Sequence, residues 1–366
     1  MRKSCFTLAV VVTSTVAVVG APGASAQTGG AVRAPRVVTL TDRVLAPFQV
    51  AASGTAVYVA DGFTRKVSLI QRNGKLTTVG SQSGGPMTDV AGVALSRTGR
   101  TVAWTSTDFE EGESWLNLSR SDVGTQQFSL SDHEKKNNPD GDVHYGIKNP
   151  TPCQVNAFKT IGMEAGYTGI EDSHPYALTQ WSDYWVVADA GANALLKVDR
   201  HGRVSTLAVL PTQPVKITRA MAAMNRLPSC VVGATYAFEP VPTDVEEGPN
   251  GMLYVTTLPG GPEDPSAGAR GSVYRVDPFT GDSTRLATGF AGATNLAIGP
   301  NRTIYVAELF AGRISTVSKG KPKAYVNLPG ALAVEVSGSH LYASAMAPMD
   351  KTGNPIGKGR VVEIRR

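Results

Sequence analysis

Residues 186–210, VVADAGANALLKVDRHGRVSTLAVL, and residues 295–317, NLAIGPNRTIYVAELFAGRISTV, share one pattern of short strands and turns. In each stretch an apolar strand ends on an acid, Asp189 or Glu308, and a Gly-containing turn leads into a further strand. The pattern recurs at four other places, two of them more degenerate: AVYVADGFTRKVSLI (56–70), GMLYVTTLPGG (251–261), VAGVALSRTGRTVAWTSTD (90–108) and ALAVEVSGSHLYASAM (331–346). Internal repetition is the signature of repeat architectures, so the chain is predicted to consist of six related units.

The length and content of the units predict the fold class. Each unit is about 35 to 50 residues long, the range in which four-stranded propeller blades repeat. The strands are rich in β-branched and aromatic residues, they are bounded by Gly, Pro, Asn and Asp, and helical periodicity is nearly absent. Equivalent positions on the second strand of the units are Tyr58, Ala103, Val186, Tyr254, Tyr305 and Tyr342. The prediction is an all-β, six-bladed β-propeller.

The two ends of the chain predict how the ring closes. The last unit has only three strand patterns, at 331–336, 341–346 and 360–366, and a sheet with an open outer edge invites unwanted pairing. Residues 36–42, which precede the first unit, form a strand pattern of their own. We therefore expect the N-terminal strand to join the last blade as its fourth strand.

The first 26 residues have the features of a secretory signal. Arg2 and Lys3 are followed by an apolar stretch at 6–20 and by small residues at 24–26, which predicts cleavage before Gln27. Residues 27–366 are then a single propeller domain, secreted and monomeric, with no later stretch suited to span a membrane. The net charge of +5 comes from scattered Lys and Arg rather than a basic stripe, which argues against nucleic acid as a partner.

Two segments lie outside the repeat and contain the remaining cysteines. The inserts are residues 133–173, with Cys153, and residues 212–240, with Cys230. An exported chain meets an oxidising compartment, so we expect a Cys153–Cys230 disulfide; two buried free thiols are the alternative. Long loops on a rigid scaffold often carry function, although a polar insert can also be a tolerated addition.

Propeller topology predicts which polar residues can converge. The inner strand of each blade starts beside the central channel, and the second strand returns to the same face. Acids that end second strands should therefore lie around one channel mouth with polar residues that open inner strands, among them Gln49 and Asp89. The ligand-binding candidates are Asp61, His174, Tyr176, Asp189, Asp244, Asn295 and Glu308. As a set they offer the convergent oxygens that a divalent cation such as calcium requires. Individually, acids after strands more often accept backbone hydrogen bonds in the next turn.

The repeats at 186–211, 240–262 and 289–309 resemble those of the ScyD/ScyE family of exported bacterial proteins. The resemblance implies a propeller related to NHL-repeat and TolB-like propellers, with an accessory role in extracellular secondary metabolism and no defined catalytic residues. Propellers similar to gluconolactonase hold a cation with a Glu, an Asn and an Asp; Asn295 occupies such an Asn position, but Thr243 stands where the acid would be.

Two functional hypotheses follow from these observations. The first is a non-catalytic binding or scaffold protein for a small molecule, a glycan or a protein. The alternative is a divergent metal-dependent hydrolase or lactonase that uses Asn295 and the second-strand acids. The sequence contains no GxSxG, HExxH or phosphate-binding Gly-rich motif.

Overall fold

The computed structural model describes residues 35–262 and 265–365, which leaves the predicted signal sequence outside the described residues. Within these ranges, the chain forms seven four-stranded antiparallel sheets. No helix in the described part of the chain is long and apolar enough to cross a bilayer.

The first half of the chain builds three blades and the first insert. Strand β1 (Arg36–Val44) is followed by blade 1, which contains β2 (Pro47–Ser53), β3 (Ala56–Asp61), β4 (Lys66–Ile70) and β5 (Leu76–Ser81). Blade 2 contains β6 (Thr88–Leu95), β7 (Thr101–Asp108), β8 (Glu113–Arg120) and β9 (Gly124–Ser129). The first insert contains α1 (Ser131–Asn137), β10 (His144–Ile147), α2 (Pro152–Thr160) and β11 (Gly166–Thr168). Blade 3 contains β12 (Pro175–Trp181), β13 (Tyr184–Asp189), β14 (Ala194–Val198) and β15 (Val204–Val209).

The second half contains the second insert and three further blades. The insert comprises β16 (Gln213–Lys216), α3 (Arg219–Met224), a 3-10 turn (Ser229–Val231) and β17 (Thr235–Phe238). Blade 4 contains β18 (Pro242–Glu247), β19 (Leu253–Thr257), β20 (Gly271–Val276) and β21 (Ser283–Phe290), with 3-10 turns at Pro249–Gly251 and Pro265–Ala267. Blade 5 contains β22 (Ala293–Ile298), β23 (Ile304–Glu308), β24 (Arg313–Ser318) and β25 (Lys321–Asn327). Blade 6 contains β26 (Ala331–Ser337), β27 (His340–Ala345), β28 (Gly359–Arg365) and β1.

Six of the sheets form a closed ring around a channel. Their innermost strands follow one another as β2, β6, β12, β18, β22 and β26, and β26 contacts β2 again. A separate apolar cluster fills each of the six spaces between neighbouring blades. Burial of these clusters is the main term that stabilises the ring. The predicted propeller is confirmed, and each blade is held by the two beside it.

The predicted closure of the ring is confirmed in detail. Strand β1 pairs antiparallel with β28, with Val37 opposite Ile364 and Val38 opposite Glu363. Both edges of β28 are thus hydrogen-bonded, because its other edge pairs with β27. The last blade has four strands only because residues from both ends of the propeller contribute to it.

The two inserts fold together into one layer, which the sequence did not predict. Each insert supplies one half of the seventh sheet, in the order β11, β10, β17, β16, and the halves join where β10 pairs with β17. This layer has its own core, in which Phe158 packs against Tyr236 with ring centroids 4.9 Å apart. The Cys153–Cys230 disulfide is present and links the two inserts across 77 positions of sequence. The expected bond between the inserts is therefore confirmed.

Candidate functional site

The second-strand acids lie where topology predicted, but their oxygens serve their own blades. Asp61, the last residue of β3, accepts hydrogen bonds from the amides of Leu45 (2.9 Å) and Ala46 (3.0 Å), just before β2. Asp189, the last residue of β13, accepts from the His174 amide at 2.7 Å, just before β12. Both carboxylates are buried and hold the segment through which the chain enters its inner strand.

Glu308 has the corresponding role in blade 5. Its Oε2 accepts the amide of Ala291 at 2.8 Å, two residues before β22. Its Oε1 accepts the Arg313 guanidinium at 2.8 Å and the Ser315 hydroxyl. No group of three or more His, Cys, Asp or Glu side chains within residues 35–262 and 265–365 is arranged as around a metal ion. The three acids are equivalent in the repeat and bind the segment before their inner strands. Asp189 alone of the three also accepts amides of the following turn, from Gly191 and Ala192, among the described residues.

Polar residues that open the inner strands hydrogen-bond to neighbouring blades. The side-chain oxygen of Gln49 accepts the amide of Val93 in blade 2 at 2.8 Å. Likewise Asn295 Oδ1 accepts the amide of Val334 in blade 6 at 2.7 Å. Thr243, at the position where a gluconolactonase-like site would have an acid, donates to the carbonyl of Ala293 at 2.8 Å. These bonds join adjacent inner strands whose backbones do not pair with each other.

One hydrogen bond crosses the channel itself. Gln49 Nε2 in blade 1 donates to Asp244 Oδ1 in blade 4 at 3.0 Å, and these two blades face each other across the six-membered ring. The other Asp244 oxygen accepts the amide of Leu296 at 2.8 Å. Asp244 is fully buried, and burial raises the pKa of its carboxyl to about 7. The channel is therefore bridged near the start of its inner strands.

Two further acids beside Asp244 were not predicted from the sequence. Glu246 lies two residues further along β18, and Glu335 lies on β26 of blade 6. Burial raises the pKa of Glu335 to about 8, and the charge of Asp244 adds to this shift. The pKa of Glu246 is raised well above its usual range by burial and by the charges of Glu335 and Asp244. For Glu246 the available signal was its spacing from Asp244, because residues two apart on a strand share a face.

The channel mouth carries the site with the strongest ligand-binding features. His174, just before β12, contacts Asp89 of β6 with 3.0 Å between Nε2 and Oδ2. Its ring also meets Phe109 and Tyr176 edge to face, with centroids 4.9 and 5.6 Å away, and Tyr176 meets Phe48 at 5.6 Å. We call Phe48, Asp89, Phe109, His174 and Tyr176 the mouth cluster. It draws on blades 1, 2 and 3.

The electrostatics of the mouth cluster are those of a paired His and Asp. Burial of the ring lowers the pKa of His174. The charge and hydrogen bond of Asp89, together with the charges of Asp189 and Asp172, outweigh burial, so the net shift of the pKa is upward. Burial raises the pKa of Tyr176, and the charges of Asp89 and Asp244 add to the shift. Asp89 Oδ1 is buried and has no hydrogen-bond partner among the described residues. An acceptor of this kind favours a ligand that brings an N–H or O–H group.

The rest of the mouth is apolar. Leu309, Leu332 and Met346 form a buried cluster against Phe48. Phe63 and Phe310, which follow second strands, remain 43% and 38% exposed. Partly exposed aromatic residues beside an apolar cluster are typical of binding surfaces. Of the predicted candidates, the structure thus brings His174 and Tyr176 together here, whereas Asp61, Asp189, Asp244, Asn295 and Glu308 are engaged in bonds within the ring.

Comparison with known proteins supports the fold. The PQQ-bound aldose sugar dehydrogenase from Streptomyces coelicolor has a TM-score of 0.54 at 12% identity, over 90% of this chain and 98% of that chain. A protein of unknown function from Bacteroides thetaiotaomicron has a TM-score of 0.54 at 11% identity, over 91% and 76%. A proposed gluconolactonase has a TM-score of 0.50 at 11% identity, over 90% and 92%. At such identities the likeness shows the propeller fold alone.

Neither a protein-family model nor a curated protein sequence matches this chain. The chain is thus a β-propeller protein, and its resemblance to ScyD/ScyE proteins stays a prediction.

Proposed function

We propose that the protein is an exported, non-catalytic propeller that binds its ligand at the mouth cluster. The unpaired Asp89 Oδ1 beside a wall of aromatic rings is the observation that carries this proposal. It favours a small molecule, or a group on a glycan or protein, that combines a hydrogen-bond donor with an apolar ring or face. The resemblance to ScyD/ScyE proteins supports an accessory role in extracellular secondary metabolism.

The hydrolase alternative would need groups that are free to bind a cation and activate water. Asn295 Oδ1 instead accepts the Val334 amide, and both oxygens of Asp61 accept backbone amides of its own blade. Asp189 and Glu308 are engaged in the same way. These bonds favour a structural role for the acids. Lactonase activity is therefore the outcome that would contradict the proposed function.

The binding test uses the protein without its first 26 residues and a panel of phenols, indoles and soluble oligosaccharides. Ligand-dependent increases in melting temperature would identify a probe, and titration calorimetry would then give its affinity. We expect His174→Ala and Asp89→Asn to weaken binding at least about tenfold, since each removes a hydrogen-bonding group worth more than about 1.4 kcal/mol in such a site. The matched control is His201→Ala, an exposed histidine in the turn between β14 and β15.

The catalytic test uses the same protein with a lactone and ester panel and added calcium, manganese or zinc. We expect no turnover above the uncatalysed rate. Turnover that is lost in Asn295→Ala would overturn the non-catalytic proposal, whatever metal content the protein has. A probe whose affinity is unchanged in both mouth variants would place binding elsewhere.

A further inference from the structure

Three buried oxygen atoms in the first insert accept no hydrogen bond from any residue that the structure describes. They are Glu134 Oε2 on α1, Asn138 Oδ1 at its C-terminal end and Asp140 Oδ1 in the following loop. Glu134 and Asp140 are only 2% and 1% exposed. Buried polar atoms without partners are rare, because each loses its hydrogen bonds to water and gains none within the protein. Three of them within seven residues of sequence point to a missing partner.

Backbone and side-chain contacts bring these residues to one place. The amide of Asn138 donates to the Glu134 carbonyl at 2.7 Å, which closes the end of α1. Asn138 Nδ2 donates to the Gly169 carbonyl at 3.1 Å. Asp140 Oδ1 lies so close to Gly169 that a Cβ there would be 2.0 Å from it. Asn138 and Asp140 therefore face the same residue, and the absence of a side chain at Gly169 makes room for the Asp140 carboxylate.

The second oxygen of each carboxylate is already held. Asp140 Oδ2 accepts the Tyr145 hydroxyl at 2.8 Å and Asn193 Nδ2 at 2.9 Å, and Glu134 Oε1 accepts the Asp172 amide at 3.4 Å. These bonds orient both carboxylates and leave one oxygen of each without a donor. The arrangement is that of ligands fixed in advance by outer contacts, as in metal sites.

In the described part of the chain, no cationic side chain is among the groups whose charges most affect Glu134 and Asp140. The neighbouring ionisable groups are the carboxyls of Asp172 and Asp189, which add further negative charge. Lys135 is directed away and pairs with Glu113. A cluster of acceptors with excess negative charge needs either a bound proton or a bound cation.

We propose that Glu134, Asn138 and Asp140 bind a calcium ion through the three oxygens that lack donors. Two carboxylates and an amide carbonyl are hard oxygen ligands of the kind that Ca²⁺ prefers, with backbone carbonyls or water completing its six to eight positions. Mg²⁺ fits less well, because it retains several waters and this site is buried. The site joins α1 to the loop at Gly169 and, through Asn193, to blade 3. It shares no residue with the mouth cluster, and its proposal is independent of the proposed function.

The test begins with protein freed of metal by a chelator and dialysed. Calcium at about 100 times its dissociation constant should raise the melting temperature by several degrees, whereas magnesium at the same concentration should have a much smaller effect. Glu134→Gln and Asp140→Asn preserve side-chain size and should each abolish most of the calcium shift. Asp132→Asn, an exposed acid on the same helix, is the matched control and should retain it.

Terbium luminescence provides a second measurement that does not depend on stability. The Tyr145 hydroxyl lies 2.8 Å from Asp140 Oδ2, so its ring can sensitise a terbium ion in the site. We expect tyrosine-sensitised emission that calcium displaces. We expect Asn138→Ala to weaken terbium binding about tenfold, because it removes one oxygen ligand. Absence of both a calcium shift and terbium emission in the unmodified protein would overturn the proposal. So would a Glu134→Gln protein that melts at least as high as the parent and still binds calcium.

Discussion

Gln49 and Asp244 join opposite sides of the propeller through a 3.0 Å hydrogen bond between residues 195 positions apart. Gln49 uses its amide oxygen for the Val93 amide at the same time, and Asp244 uses its second oxygen for the Leu296 amide. Four inner strands are thereby connected through two side chains. The hydrogen bond between Gln49 and Asp244 lies near the start of the inner strands, where the sequence predicted a ligand-binding site.

Gln49→Ala should destabilise the ring by about 2–4 kcal/mol, because it leaves the Val93 amide and one oxygen of the buried Asp244 without partners. Urea unfolding followed by circular dichroism measures the change. Gln126→Ala, an exposed glutamine on β9, serves as the control and should change stability by less than about 0.5 kcal/mol. An equal effect of both substitutions would show that the bridge contributes nothing.

The channel acids should make stability depend on pH. Burial raises the pKa of Asp244 to about 7 and that of Glu335 to about 8, so the folded state binds protons that the unfolded state has already lost above about pH 4. Their contribution is full below about pH 4 and is lost as the pH rises through 7 to 8.

The measurement is the free energy of unfolding at pH 5 and pH 8. We expect it to fall between these values in the parent protein and to fall less in Glu335→Gln, whose side chain carries no charge at either pH. Glu111→Gln, an exposed acid in the turn between β7 and β8, should behave like the parent. A steeper fall in Glu335→Gln would contradict the assigned direction.

Removal of the N-terminal strand should open the ring. Deletion of residues 27–42 removes most of β1 and exposes the edge of β28, so we expect a sharp decrease in melting temperature and aggregation. The strand couples residues more than 300 positions apart and thus constrains the whole chain. Deletion of residues 27–34 alone, which leaves β1 intact, is the control. If the longer deletion melted within about a degree of it and stayed monomeric, closure by β1 would be unimportant for the ring.

Loss of the disulfide should affect the insert layer more than the propeller. A Cys153→Ser, Cys230→Ser double variant removes a covalent link that contributes about 2–4 kcal/mol in comparable loops. Hydrogen exchange should show faster opening of α2 and β17 with little change in β13 or β23. Thiol titration of the unreduced, denatured parent should find no free sulfhydryl after residue 26, and two reactive thiols would contradict the bond.

The blades were predictable because each is a local structure. Residues 295–317, for example, contain an inner strand, a turn, a second strand and the start of a third, and their apolar alternation is set by neighbours in sequence. The strand at 36–42 could be placed in the last blade because a propeller has one vacant position for it. The disulfide followed from the number of cysteines and the expected compartment.

The insert layer was not predictable in the same way. Strands β10 and β17 pair although they lie about 90 positions apart, and each has only four residues. Such short strands carry too little periodicity to be recognised, and their pairing depends on a shared core that neither insert forms alone. The same holds for Glu134 and Asp140, whose polar surroundings in sequence gave no sign of burial.

By itself, the sequence determined the repeat, the number of units, the closure of the ring and the side of the channel on which polar residues gather, because these follow from strand periodicity and chain order. Only the tertiary structure decided what those residues do. Asp61, Asp189 and Glu308 were candidates for a shared ligand, yet each binds donors of its own blade, since a buried carboxylate is stabilised most by the nearest amides. His174 and Asp89, 85 positions apart, became a pair because neighbouring inner strands bring them within 3.0 Å.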